Sequence, residues 1–327
     1  MVDPAAPVLI GLDWGTSSLR AYLIADNGTE LDVRARPWGI MHVAQSGFAA
    51  AFREVTADWR ARWPRIPAIA AGMIGSRHGW REVPYVECPA GVPDLAAGLV
   101  AIDADGGPLH LVPGVVVRGP LPNVLRGEET QVVGALDVQP GLANQGLLVL
   151  PGTHSKWVTV GAHRIVDFST YMTGELFAVL RDHSILGRPA AEDGPEEDGT
   201  AAGADAFRRG VACARESGAE GVSGRFFTTR SLVLVGDLAA RHSLEYLSGL
   251  LIGEEVRSAL AGRHSAPCPP LVLVGDSSLC ARYRDALTSF GVDEVRVCEH
   301  AASRGLWRIA AAAGLIDVAA PPRIAHA

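Results

Sequence analysis

Residues 8–36 read VLIGLDWGTSSLRAYLIADNGTELDVRAR. Two apolar runs, 8–12 and 19–24, are joined by a glycine-containing turn, and a second turn at Asn27-Gly28 leads into a third run over 30–36. Short runs of this kind separated by Gly and Asn turns predict three consecutive antiparallel strands. Residues 47–63 then carry Phe48, Phe52, Val55, Trp59 and Trp63 at helical spacing, and Pro64 stops that helix. Residues 66–73 read as the next strand, so a meander turns into strand and helix alternation, and the fold class is α/β.

The opening pattern returns about 137 residues later. Residues 147–168, LLVLPGTHSKWVTVGAHRIVDF, predict strands over 147–150, 156–160 and 164–168 with turns between them. Gly15-Thr16-Ser17-Ser18 and Gly152-Thr153-His154-Ser155 occupy equivalent places in the two copies. This duplication predicts two similar domains with mixed sheets, over residues 1–140 and 141–327, facing one another across a cleft. Further on, the strand 271–274 and Gly275-Asp276-Ser277-Ser278 begin a strand, turn and helix unit. The same six residues, LVLVGD, occur at 232–237, where strand and helix both remain open. Residues 243–260 predict a helix capped by Ser243. The acidic, Gly/Pro-containing stretch 190–203 predicts an exposed loop rather than a metal site. A helix around 301–313 is expected to pack back on one domain.

Composition narrows the function classes. A chain of 327 residues, 48% apolar, can bury a large core. With a net charge of −7 and no cluster of Lys and Arg, it lacks the electrostatic footprint of a nucleic-acid binder. Its five cysteines (Cys88, Cys213, Cys268, Cys280, Cys298) contain no Cys-x-x-Cys pair and predict reduced thiols. No run approaches the length of a membrane span and no basic leader opens the chain, so the expectation is a cytoplasmic protein acting on small molecules. Oligomeric state rests on base rates alone, which favour a homodimer.

The turn Asp13-Trp14-Gly15-Thr16-Ser17 carries specific chemistry. Its backbone N–H groups and hydroxyls suit phosphate oxygens, Gly15 permits close approach, and Asp13 at the strand end can hold Mg²⁺ through water. An ordinary hairpin turn is the competing reading. Gly152 and Thr153 in the second copy repeat the phosphate-type turn, and Gly275, Asp276 and Ser277 supply a third. Lys156 is either a phosphate partner or an exposed strand lysine. No Walker motif and no Gly-x-Ser-x-Gly is present.

Three such turns in this order resemble the phosphate 1, phosphate 2 and adenosine segments of actin-like ATPases and sugar kinases, a ribonuclease H-like fold. Longer blocks resemble one family, the 2-dehydro-3-deoxygalactonokinases, over roughly residues 8 to 310. They are Gly72-Met73-Ile74-Gly75-Ser76-Arg77, Pro84-Tyr85-Val86, Cys88-Pro89-Ala90, Arg126-Gly127-Glu128-Glu129-Thr130-Gln131, Leu150-Pro151-Gly152-Thr153-His154-Ser155-Lys156-Trp157 and Thr173-Gly174-Glu175-Leu176-Phe177. The resemblance implies ATP- and Mg²⁺-dependent phosphorylation of the terminal hydroxyl of a 2-keto-3-deoxy sugar acid in galactonate or galactose catabolism. Many sugar kinases of the superfamily place an acid in the second phosphate turn or at the start of the last N-domain helix. This chain has Thr153-His154 in the first place and Glu128-Glu129 in the second, so Glu128 leads as general base, with Glu129 and His154 behind. Both glutamates could instead serve only the helix N-terminus. Arg77 and Arg126 are the candidates for the substrate carboxylate, beside Ser76, with Thr173 and Glu175 approaching from the C-domain. A kinase for another sugar, or an actin-like nucleotide-dependent regulator, would show the same turns.

Overall fold

The computed structural model describes residues 6–44, 47–104, 107–193, 200–261 and 269–318. In chain order the strands and helices are β1 (Pro7–Trp14), β2 (Leu19–Ala25), β3 (Glu30–Arg36), α1 (Phe48–Arg62), β4 (Ala68–Gly72), β5 (Val86–Glu87), β6 (Ala90–Gly91), α2 (Val92–Ala97), β7 (Val100–Asp103), β8 (Pro108–Leu111), β9 (Val115–Val117), β10 (Asn123–Leu125) and α3 (Glu128–Val138). They continue with β11 (Gln145–Leu150), β12 (Ser155–Gly161), β13 (Arg164–Tyr171), α4 (Thr173–His183), α5 (Arg188–Asp193), α6 (Ala201–Arg215), α7 (Thr228–Leu234), α8 (Ser243–Leu260), β14 (Leu271–Val274), α9 (Ser277–Ser289), β15 (Val295–Cys298) and α10 (Ala301–Ala312). Two compact units result. Of the described residues, the first holds those up to Gln145, Thr159–Phe168 and those from His300 onward; the second holds Gly146–Val158 and those within Ser169–Glu299.

One six-stranded sheet runs β3-β2-β1-β4-β8-β7 and the other β15-β14-β11-β12-β13-β6. Numbered within each copy, both contain the order 3-2-1-4-5: three antiparallel strands, then parallel ones. This is the duplicated mixed sheet of the actin-like fold that the two opening meanders lead one to expect. The parallel neighbour explains the composition of each first strand. β1 lies between β2 and β4, with Ile10 opposite Ala68 and Leu12 opposite Ala70 on the parallel side, and Leu9, Ile10 and Leu12 are wholly buried. β11 pairs in parallel with β14, and Leu147, Leu148 and Val149 are buried likewise. Strands enclosed on both faces read as continuous apolar runs. β3 lies at the edge of its sheet and places Glu30, Asp32, Arg34 and Arg36 along it, charges that discourage further strand pairing.

In the first unit α1 buries Phe48, Phe52, Val55 and Trp59 against the sheet, together with Trp14. α10 returns to this unit and packs on α3 at backbone distance. A side chain on Gly305 would strike the carbonyl of Thr130, and one on Gly134 the carbonyl of Ala301. In the second unit the core gathers Leu147, Val149, Trp157, Phe207, Val256 and Tyr283.

Several sequence expectations change. Residues 190–203 are not one loop: α5 reaches Asp193, α6 starts at Ala201, and 194–199, with Glu196, Glu197 and Asp198, lie outside the described residues. The open segment 232–237 begins in a helix, α7, which ends at Leu234, with Gly236 beyond it at φ 83°. Ser243 does not cap α8; it is the first helical residue and its buried Oγ makes no hydrogen bond. Cys280 and Cys298 are buried free thiols, Cys88 and Cys213 are half-buried free thiols, and Cys268 lies outside the described residues. No helix among the described residues is long and apolar enough to cross a membrane.

The α3–α10 contact yields a test. Gly305→Ala should destabilise the protein by about 2 kcal/mol, because the added methyl meets backbone that cannot rotate away. Urea unfolding should show a lower midpoint; an unchanged midpoint would mean that the two helices are free to separate.

Candidate active site

In the first unit three chain reversals meet at backbone distance. The β1–β2 turn is closed by Gly15 N–H donating to the Ser18 carbonyl at 2.9 Å, and Thr16 and Ser17 are exposed on it. Residues 40 and 41 lie beside it, with Ile40 N–H bonded to the Gly15 carbonyl and Met41 N–H to that of Thr16. Gly72, at φ 97°, ends β4 so close to Trp14 that a Cβ would sit 2.6 Å from the Trp14 carbonyl. Gly127, at φ 112°, then brings the start of α3 against Gly72. Only glycine adopts such φ values at so little cost and leaves this room. Asp13, Ser76, Arg126 and Glu128 therefore belong to one neighbourhood of the fold.

Asp13 is half-buried at the end of β1. Burial pushes its carboxyl up to about 6; Arg20 opposes the rise and Glu128 adds to it. Glu128 Oε2 accepts the backbone N–H of Arg126 at 2.9 Å, and Glu129 Oε2 accepts that of Gly127 at 2.7 Å. Both carboxylates thus curl back on donors at the helix start. They differ in access: Glu128 is half-buried, whereas Glu129 is 0% exposed and its Oε1 has no hydrogen-bond partner. Burial, reinforced by Glu128, pushes the Glu129 carboxyl up to about 8. At neutral pH Glu129 is therefore a neutral acid.

The two arginines also part company. Arg77 is exposed. Arg126 is 8% exposed, with its guanidinium 4.3 Å from the centre of the Tyr85 ring and one nitrogen, Nη2, donating to the Val83 carbonyl at 2.8 Å. Its Nε and Nη1, and the nearby Ser76 Oγ, are buried without hydrogen-bond partners. Gly75 makes room for this guanidinium: a Cβ there would lie 2.9 Å from Nη1.

The second unit builds a pocket of about 510 Å³ from Gly152, Thr153, Thr173, Glu245, Arg282 and Tyr283 among others. The turn after β11 is held from several sides. Glu175 N–H donates to the Thr153 carbonyl at 3.0 Å, His154 Nε2 pairs with Glu175 Oε2, and Gly174 lets the Gly152 carbonyl approach the start of α4. Lys156 is not the exposed strand lysine: it is 4% exposed and its Nζ donates to the His154 carbonyl at 3.2 Å. Gly275, Asp276 and Ser277 are exposed at the start of α9, where Asp276 Oδ1 caps the N–H groups of Ser278 and Leu279 at 3.0 and 3.1 Å. The pocket is lined by the body of that helix, through Leu279, Arg282 and Tyr283. Among the described residues no group of three or more His, Cys, Asp or Glu side chains is placed to hold a metal ion.

A family model described as 2-keto-3-deoxy-galactonokinase matches residues 13–309. The chain belongs to that family. Its relatives include a protein of Rhizobium meliloti named as a probable 2-dehydro-3-deoxygalactonokinase, 38% identical over 90% of this chain and 96% of the relative. A 2-dehydro-3-deoxygalactonokinase of Escherichia coli is 36% identical over 88% of this chain and 92% of its own length. A crystal structure of a candidate 2-dehydro-3-deoxygalactonokinase from Sinorhizobium meliloti superposes with a TM-score of 0.81 at 37% identity, covering 93% of this chain and 98% of that one. Membership of a kinase family implies the use of ATP.

Sequence reasoning overlooked Glu255, Tyr283 and the Glu245–Arg282 ion pair. Glu255 had a signal, since it falls at helical spacing from the buried Leu247 and Leu251 on α8. Tyr283 and Arg282 had none, because their role depends on which elements surround α9.

The buried Glu129 gives a pH signature. In the unfolded chain its carboxyl ionises near the ordinary 4.5, while the folded protein keeps the proton until about 8. Between these values the unfolded state binds fewer protons, so this group's contribution to stability is present at low pH and fades as pH rises. Glu129→Gln should therefore gain stability relative to the unsubstituted protein between pH 4.5 and 8, read from urea midpoints; a difference independent of pH would refute the assignment.

Proposed function

We propose that this chain transfers the γ-phosphoryl group of ATP to the 6-hydroxyl of 2-dehydro-3-deoxy-D-galactonate, giving 2-dehydro-3-deoxy-6-phospho-D-galactonate. The observation that carries the sugar-acid part of this reading is Arg126. A buried guanidinium with two unpartnered nitrogens, Nε and Nη1, is costly unless an anion completes it, and a carboxylate has the charge and the acceptors to do so. Ser76 Oγ offers a further donor. Arg77, Thr173 and Glu175 remain secondary candidates for the acceptor.

Other parts of the reading follow unit by unit. In the first unit, Gly15, Thr16 and Ser17 would meet phosphate oxygens. Asp13 and Glu128 concentrate negative charge that a divalent cation would relieve, which fits Asp13 as a holder of Mg²⁺ through water. That ion would supply charge neutralisation on the phosphates. Glu128, the more accessible of the paired glutamates, would accept the hydroxyl proton, ahead of the protonated Glu129 and of His154. In the second unit, Gly152, Thr153 and Lys156 would meet phosphates, and the 510 Å³ pocket has the size for a nucleoside, with Gly275, Asp276 and Ser277 at its helix start. The domain ranges 1–140 and 141–327, as the two copies of the duplication, with Thr159–Phe168 and the chain from His300 returning to the first compact unit, together with a cytoplasmic setting and a homodimer, complete the proposal.

A coupled ADP-release assay with ATP and Mg²⁺ tests it, comparing 2-keto-3-deoxygalactonate with its gluconate epimer, galactose, glycerol and no acceptor. Turnover confined to the keto-deoxy acids is expected. Turnover with neutral sugars would discard the carboxylate argument, and slow release indifferent to acceptor would point to a nucleotide-dependent regulator. Arg126→Met should lower kcat/KM for the sugar acid by about 10- to 100-fold, the loss of one or two charge-assisted hydrogen bonds, while KM for ATP stays within about twofold.

A further inference from the structure

Behind the Gly152–Ser155 turn lies a buried carboxylate that the proposed chemistry does not use. Glu255, on α8, is 2% exposed. Its Oε1 accepts Trp157 Nε1–H from β12 at 2.7 Å, and its Oε2 accepts the Tyr283 hydroxyl from α9 at 2.6 Å and the Thr173 hydroxyl from the start of α4. The neighbouring Glu254 differs entirely: it faces outward and pairs with Arg257 at 2.7 Å. Tyr283 has one hydroxyl proton, and it is donated in the hydrogen bond to Glu255. At the 2.8 Å contact between Tyr283 and Ser155 the serine must therefore donate, which leaves the Ser155 oxygen to receive Gly152 N–H at 3.4 Å. Every proton in the series points toward the carboxylate, from the turn through Ser155 and Tyr283 to Glu255.

We propose that Glu255 is a positioning residue whose buried carboxylate holds β12, α4 and α9 in register, and so sets the shape of the Gly152–Ser155 turn for the phosphates of the nucleotide. Two of its three partners, Thr173 and Tyr283, also line the pocket of the same unit. A satisfied buried network of this kind specifies one arrangement of its members, whereas a generic apolar contact would tolerate several. A carboxamide cannot replace it, because three donors converge there and an amide oxygen accepts at one end while its NH₂ would face a donor. The inference rests on the kinase reading for the identity of the ligand, and on the geometry alone for the residue.

The test compares Glu255→Gln, Tyr283→Phe and, as a control, Glu254→Gln. Affinity for ATP with Mg²⁺ is measured by calorimetry, KM for ATP and for the sugar acid by ADP release, and folding by thermal melting. Glu255→Gln should weaken ATP binding and raise KM for ATP by about tenfold, and KM for the sugar acid should move less than about twofold. Tyr283→Phe keeps the ring in the pocket and breaks only the middle link, so it should reproduce part of that shift and add little to it in the double variant. Glu254→Gln should leave all three constants unchanged. Should Glu255→Gln fail to fold, Tyr283→Phe carries the test. A fall in melting temperature with both KM values intact, or an equal rise in both, would show a merely structural role and overturn the proposal. If the unsubstituted protein binds ATP but phosphorylates no sugar acid, the acceptor reading fails while the binding measurements still judge Glu255; absence of ATP binding would overturn both.

Discussion

Taking charge out of water is the constraint on which the candidate residues of each unit depend. Arg126, Glu129, Lys156 and Glu255 are all nearly or wholly enclosed, and an enclosed charge costs several kcal/mol unless it is paired or neutralised. The four meet this constraint in different ways. Glu255 is surrounded by three donors, Lys156 finds a carbonyl, and Glu129 keeps its proton. Arg126 alone of these four has two guanidinium nitrogens without hydrogen-bond partners, and a guanidinium cannot lose its charge. An incomplete shell around a permanent charge is the feature on which the proposed binding of a sugar-acid carboxylate rests.

Glycine is what allows such shells to be assembled. The approach of Gly72 to Trp14 and of Gly127 to Gly72 joins the ends of two strands to the start of a helix through backbone alone. Any side chain at these points would separate Asp13 from Glu128 and loosen the enclosure that chiefly keeps the Asp13 carboxyl high, with Glu128 adding to it. The fold and the electrostatics of the first unit are therefore one arrangement: the same close packing that orders the strands brings like charges together.

The architecture was legible because it repeats. Residues 8–36 and 147–168 each announce three strands through turn chemistry, and a pattern seen twice is hard to mistake. Long periodic helices such as α1 and α8 were equally clear. What the sequence did not disclose depends on tertiary neighbours. LVLVGD is a strand leading into α9 at 271–276 and the end of a helix at 232–237, so its six residues do not determine their own state. Arg77 and Arg126 looked alike as candidates because both sit beside small residues, and only burial distinguishes them. Lys156 follows the same rule: its place in β12 was readable, but its enclosure was not.

The two copies also differ in the charges that they carry beside the shared turn. With Gly15 set against Gly152, Asp13 falls where the second copy has Leu150, and Leu19 where it has Lys156. Both leucines are buried in the sheets, at 3% and 0% exposure. Each copy has thus exchanged one apolar position for a charge, an anion in the first and a cation in the second, at opposite ends of the same turn. The backbone of a hairpin offers N–H donors to phosphate in either copy, but it offers no means to hold a cation or to neutralise further negative charge. In the proposed function those demands fall on the side chains that flank the turn, and a frame present twice can meet one with each copy without disturbing its strands.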